Sequence, residues 1–453
     1  MKSINPATGQ LIKEYATHPQ AEVESILTKA EACVSEWKKV SISERAKPMM
    51  ALASLLKKNK ESYAKLITQE MGKRFTEAVS EIEKCAWGCE YYAENADEFL
   101  QDEVVKQEGR KSYISYQPLG LILAIMPWNF PFWQVIRFAA PNLMAGNGGL
   151  LKHASNVPGC ALLLEKLFQE AGFPPYLFNT LMIGSERVAS LIQDSRIKGV
   201  TLTGSLHAGS EVAKLAGQQI KKTVLELGGS DPYLILQDAD LEKAVNACLQ
   251  SRLINNGQSC IAAKRFIVEA PLYEAFVDKL HEKMQAIQMG DPMLKGTQLG
   301  PMASQPLRDE LHSQVERSVA LGARCLLGGK IPARDGFYYP ATLLTEVVPE
   351  MPAFDEELFG PVACVIKARH EQEGIALANQ SSFGLGAGVF TEDLKKGEHI
   401  ARVELQAGLC FVNDFVKSDP RLPFGGIKQS GFGRELSKVG IHEFLNIKTV
   451  VMA

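Results

Sequence analysis

Cys260 stands in "NNGQSCIAAKRF" (residues 255 to 266), directly behind Asn256, Gly257, Gln258 and Ser259. Two readings compete for it. Free cysteine is among the most readily buried side chains, so packing alone would account for a lone thiol. Chemistry would need the thiolate, and an ordinary thiol of pKa about 8.5 supplies only a few per cent of it at neutral pH. A nucleophilic Cys260 therefore requires a base, a route for solvent, and a donor for the charge that its attack creates. Five segments could supply these: "MPWNFPF" (126 to 132), "LLKHAS" (150 to 155), "LTGSLHAGS" (202 to 210), "LELGGSDP" (225 to 232) and "EELFGPV" (356 to 362). Taken singly, each also reads as turn chemistry, with Asn129 a turn amide and Glu226 a capping carboxylate.

The 453 residues suggest two or three domains at roughly 150 residues each, with ample material for buried cores. With 46% hydrophobic and 22% charged residues and a net charge of -3, nothing marks a polyanion binder, so nucleic acid is not an expected partner. Nine cysteines without a Cys-x-x-Cys pair and eight unclustered histidines argue against a zinc site or a disulfide framework. A reduced cytoplasm fits them. No leader and no run of about 18 apolar residues is present, so neither export nor membrane embedding is expected.

The elements that must position these residues follow from periodicity. Residues 20 to 101 carry apolar residues at helical spacing, with Trp37, Tyr63, Cys85 and Trp87 as core or interface positions. "RKSYISYQP" alternates as a strand and suits an exposed arm. From 119 onward apolar runs alternate with helix-length segments: "LGLILAIMP", "GGLLKHA", "FNTLMIG", "KGVTLTGS" and "KKTVLELGGSDPYLIL". Buried strands alternating with helices predict an α/β fold built on a parallel sheet. The rhythm resumes after 240 with "AAKRFIVE", "ARCLLGG", "GPVACVIKA" and "AGVFTED", which predicts a second α/β domain.

Together, from "INPATGQ" near the start to "PFGGIKQSGFGRE" near the end, these segments resemble the aldehyde dehydrogenase superfamily over essentially the whole chain. Within it, "KHASNVPG", "LELGGSDP" and "SDPRLPFGG" are most similar to the bacterial succinate-semialdehyde dehydrogenases. The resemblance implies a Rossmann-type cofactor domain (1–100 and 119–227), an α/β catalytic domain (228–439), and a β arm (101–118 and 440–453). That arm would make a homodimer or homotetramer. It also implies oxidation of a small aldehyde: Cys260 adds to the carbonyl, Asn129 and the Cys260 N–H hold the oxyanion, and Glu226 activates the water that hydrolyses the thioester. Dehydrogenases of another aldehyde, such as glutarate semialdehyde, and a catalytically silent structural member are the alternatives. A cysteine hydrolase is a third, without a recognisable histidine partner motif.

No Gly-x-Gly-x-x-Gly follows the first buried strand. The resemblance instead assigns the cofactor to Trp128, Lys152, the Gly204, Ser205 and Gly209 turn, Glu357 and Phe359. Where many NAD-preferring relatives carry a glutamate, this chain has Ser155, so NADP is expected to be preferred over NAD unless Ser155 merely caps a helix. Phe130, Trp133 and Arg137 match the substrate tunnel, with Arg137 as the grip on a substrate carboxylate or as half of an internal salt bridge. Ile254 stands where some relatives have a second arginine, which leaves Ser418 and Arg421 to complete that site.

Overall fold

The computed structural model describes residues 1–452. Four helices occupy the first hundred residues: Gln20–Trp37, Ile42–Lys58, Lys60–Met71 and Phe75–Phe99. The first buries Val23, Leu27, Ala30, Val34 and Trp37 along one stripe, the spacing that a 3.6-residue turn demands. The second starts at Ser41, whose hydroxyl accepts from Glu44 N. The third ends at Gly72, left-handed at φ 84°. Tyr63 and Cys85 join this core, but Trp87 is exposed, with the Arg421 guanidinium over its ring.

A six-stranded sheet carries Leu121–Met126 at its centre. On one side lie Gly148–His153 and Phe178–Thr180; on the other, Ile197–Thr203, Lys222–Glu226 and then the short antiparallel Gly431–Phe432. The chain thus runs outward one way from Leu121–Met126 and then restarts on its other side at Ile197–Thr203. That reversal opens a crevice at the carboxyl ends of these two strands, the place where open α/β sheets bind ligands. "MPWNFPF" and "LTGSLHAGS" both begin there.

The second sheet has seven strands, in the order Arg324–Leu327, Thr342–Thr345, Val362–Ala368, Arg265–Glu269, Pro232–Ile235, Gly386–Phe390 and Leu409–Val412. All neighbours are parallel except the first pair, and a separate core covers each face. The run "KKTVLELGGSDPYLIL" is therefore two strands in two sheets. Gly228 and Gly229 break it, because the crossing backbone passes too close to its neighbours for a side chain. A Cβ on Gly228 would lie 2.5 Å from Glu357 Oε2, and one on Gly229 would lie 2.8 Å from the Cys260 carbonyl oxygen.

The strands Glu103–Gln107, Arg110–Pro118 and Leu445–Met452 form a separate antiparallel sheet. Val104, Ile447 and Val451 are exposed on it. Within the stretch 431–444 the chain returns to the first half of the molecule, since Gly431–Phe432 pairs there and Ile441 and Phe444 enter its core. No helix among the described residues is long and apolar enough to cross a membrane.

Candidate active site

Cys260 follows a turn whose Asn255, Asn256 and Gly257 all have positive φ (56°, 56° and 76°). The polar residues around it are buried, and their side chains are what hold the turn. Asn255 Nδ2 donates to the carbonyls of Asn129 and Gln258 (2.9 Å each), and Asn256 Nδ2 to those of Gly72 and Pro301 (3.0 Å each). Gln258 Oε1 accepts from Ala303 N (2.9 Å), and Arg252 Nη2 donates to the Gly257 carbonyl (2.6 Å). Lys264 Nζ closes the far side on the Ser259 and Cys260 carbonyls (2.9 and 2.5 Å). So the polarity of "NNGQS" is structural scaffolding around a half-buried thiol, and the route for solvent lies elsewhere.

That route is a pair of cavities meeting at Cys260. One, of about 490 Å³, is walled by Phe130, Trp133, Ile261, Phe424 and other apolar side chains, with Lys84, Arg137 and Ser418 among them. The other, of about 510 Å³, is walled by Trp128, Asn129, Gly204, Ser205, Glu357 and Phe359. Cys260 and Gln134 line both.

Asn129 is fixed at both ends: its Nδ2 donates to the Gln258 carbonyl and its Oδ1 accepts from Gln134 Nε2, each at 3.1 Å. The loop bearing Asn129 is anchored by Glu81, whose Oε1 accepts from the Phe132 and Trp133 N–H groups (2.8 and 3.0 Å). Burial pushes the Cys260 thiol up to about 12, against the pull of Lys264 and Arg137. Glu226 ends its strand without a hydrogen-bond partner on either carboxyl oxygen. Burial and then the Glu435 carboxylate raise its pKa well above the usual range, while Arg137 and Arg434 oppose them. Glu226 is not in the wall of either cavity; a Cβ on Gly425 would lie 2.7 Å from its Oε1.

Arg137 reaches the cavity wall as half of an internal ion pair. Its Nε pairs with Glu435, its Nη2 donates to Thr203 Oγ1 (3.4 Å), and its guanidinium lies over Phe424 at 4.6 Å. The Glu435 pair and the long Thr203 bond engage Nε and Nη2, while among the described residues Nη1 makes no hydrogen bond and Arg137 remains in the cavity wall. Arg421 lies outside both cavities, exposed and bonded to Asp419 at 2.6 Å, so its expected place in the substrate site is not the one it has. Ser418 does line the first cavity, where its Oγ accepts from Lys84 Nζ at 2.6 Å.

On the cofactor side, Trp128 and Phe359 meet edge to face at 5.8 Å, and Glu357 Oε1 accepts from Gly229 N at 3.0 Å and lies 3.4 Å from Lys264 Nζ. Ser205 caps the helix Leu206–Gln218, so its hydroxyl and Gly204, which has no side chain, meet the cavity at a helix N-terminus suited to phosphate. Gly209 lies outside that wall. A Cβ there would run into Leu227 (Cδ1 at 2.7 Å), so a packing contact requires this glycine. Lys152 and Ser155 lie beyond the second cavity, at the end of Gly148–His153 and in the exposed turn after it. The next helix has Val157 at its cap position with no side-chain cap bond, so Ser155 is not its cap.

Reasoning from sequence missed Gln134, Lys84 and Lys264. The last two sit in runs that read as ordinary helix and strand, and only Gln134, five residues after Asn129 where a helix begins, carried any local signal.

Residues 1–450 match the model of the aldehyde dehydrogenase family. A Synechocystis sp. protein named probable succinate-semialdehyde dehydrogenase (NADP(+)) is 50% identical over 451 residues, covering 100% of this chain and 99% of that protein. The succinate semialdehyde dehydrogenase (NAD(P)+) Sad of Escherichia coli K12 is 47% identical, over 99% of this chain and 97% of its own. The succinic semialdehyde dehydrogenase of Streptococcus pyogenes, solved with NADP+, is 36% identical with a TM-score of 0.97, covering 99% of each chain.

Proposed function

The chain belongs to the aldehyde dehydrogenase family, an NAD(P)-dependent aldehyde oxidiser, and from that premise we propose that it converts succinate semialdehyde to succinate with NADP preferred over NAD. The observation that carries the chemistry is the position of Cys260 on the wall common to two cavities, one whose lining surface is mostly apolar and one ending at a helix N-terminus. The names of the full-length relatives carry the choice of substrate and cofactor.

In this reading Cys260 Sγ adds to the aldehyde carbon in the first cavity. Asn129 Nδ2 and the Cys260 N–H receive the developing oxyanion, and Gln134 holds the Asn129 amide with its nitrogen available for that role. Trp128, Gly204, Ser205, Glu357 and Phe359 would hold the dinucleotide, whose nicotinamide supplies the hydride acceptor. Burial keeps the Cys260 thiol protonated at neutral pH, so it needs a proton acceptor when substrate arrives. Glu226, raised above the usual carboxylate range, is matched to take that proton and later one from the hydrolytic water. The three-stranded sheet serves as an oligomerisation arm, supported by the exposed Val104, Ile447 and Val451, and the cytoplasm is the proposed setting.

A spectrophotometric panel of aldehydes, each with NAD and NADP, tests the proposal. The highest kcat/KM is expected for succinate semialdehyde with NADP. A higher value for an uncharged aldehyde of equal length would refute the substrate, and a higher value with NAD would refute the cofactor preference.

A further inference from the structure

Six charged side chains line the apolar cavity: Arg74, Glu77, Glu81, Lys84, Arg137 and Lys417. Five are paired within the chain. Arg74 bonds Glu77 at 2.9 Å, Glu81 holds Lys73, Arg137 holds Glu435, and Lys417 bonds Asp414 at 2.7 Å. Among the described residues no carboxylate lies within ion-pair distance of Lys84 Nζ. Its one hydrogen bond goes to Ser418 Oγ (2.6 Å), and it sits 4.8 Å from the centre of the Trp133 ring. Trp133 Nε1, in the same wall, is buried without a partner. An ammonium has three donors, and a partly buried cation without an anion carries a cost that an anionic ligand, or loss of the proton, would relieve.

Resting on the reading of this cavity as the substrate site, we infer that Lys84, held by Ser418, takes part in binding the far carboxylate of the substrate, beside Arg137, whose Nε is already paired with Glu435. A compact ammonium receives a carboxylate as a point charge and not through a rigid fork. Burial and then Arg137 lower the Lys84 pKa to about 8, while Cys85, Glu81 and Asp419 oppose them, the last two being held by Lys73 and Arg421. Lys84 is thus charged below about pH 8 and loses its charge above it, unless a carboxylate is bound.

The test compares the wild type with Lys84→Met and Lys84→Arg on succinate semialdehyde and on butanal, which has the same four carbons and no carboxylate. Lys84→Met is expected to raise KM for succinate semialdehyde about 10- to 100-fold, the loss of a charge-assisted hydrogen bond, with a far smaller change for butanal. Lys84→Arg, which keeps the charge, is expected to recover part of that loss. Wild-type KM for succinate semialdehyde is expected to climb above pH 8, with no such rise for butanal. Equal losses on both aldehydes, or an unchanged KM for succinate semialdehyde, would overturn the role of Lys84 while the wild type still prefers that substrate. A wild type without such a preference would overturn the substrate and the Lys84 role together.

Discussion

Gly257→Ala adds one methyl group three residues before Cys260, and its cost can be worked from two features. At φ 76° an alanine sits in the left-handed region, which costs about 1–2 kcal/mol. The new Cβ would also lie 2.6 Å from Pro361 N, and closer still to the Gly360 carbonyl group. Ordinary contact distance is about 3.5–4.0 Å, so main chain must move by about 1 Å, and overpacking of that kind adds about 1–3 kcal/mol. The expected loss is about 2–5 kcal/mol, read as a lower urea midpoint with an unchanged slope. Either the Cys260 turn or the segment after Phe359 has to give way, and displacement of about 1 Å at a reacting group can cost about 100-fold in kcat/KM. Gly217→Ala is the control. It lies in the exposed helix Leu206–Gln218, nothing stands within 4 Å of its Cβ, and a gain of about 0.5–1 kcal/mol is expected. If Gly257→Ala kept both its midpoint and its kcat/KM, the turn would be soft and the account of how Cys260 is held would fail.

Glu226→Gln should lower both the burst of reduced cofactor and the steady-state rate, because the same carboxyl is assigned the thiol proton and then the proton of the hydrolytic water; a full burst in rapid-mixing absorbance would confine it to hydrolysis, and an unchanged rate would remove it from the reaction. Ser155→Glu should weaken NADP far more than NAD, through like-charge repulsion of a 2′-phosphate, and parallel titrations of the two cofactors that remain in the same ratio would refute it. Arg137→Ala leaves Glu435 buried and unpaired, so it should cost about 3–5 kcal/mol in stability and lower activity on succinate semialdehyde and butanal alike. Selective loss on the carboxylate substrate would show instead that Arg137 grips it while paired with Glu435.

Most strands of the two large sheets were legible because each is an apolar run bounded by turns, whereas the four-residue Thr342–Thr345 and Leu409–Val412 were too short to stand out; the Asn129, Glu226 and Cys260 segments were legible because each sets polar residues beside such runs. What stayed hidden depends on pairings between distant segments. Glu435 looks like one more charge after "GFGR", and nothing local announces that it neutralises Arg137. Lys84 lies in "EIEKCAWGC", a stretch whose periodicity speaks only of a helix, and its meaning comes from Ser418 across the cavity. Gly209 matched a phosphate-binding turn by spacing, whereas its need is set by Leu227, which the sequence places in another element. The two sheets shared by "KKTVLELGGSDPYLIL" were concealed for the opposite reason: an apolar run shows that strands are buried and not which sheet each one joins.

A single sulfur set in a party wall has a kinetic consequence. The first cavity has the exposed Lys417 in its wall and the second the exposed Glu310, so on the proposed reading aldehyde and dinucleotide would each have an entrance of their own. Neither would then have to leave for the other to enter. An acyl group parked on Cys260 would block only its own entrance, leaving the opposite side free to exchange its occupant and to admit the water that ends the cycle. Traffic through the enzyme would then run along two one-lane streets meeting at one atom.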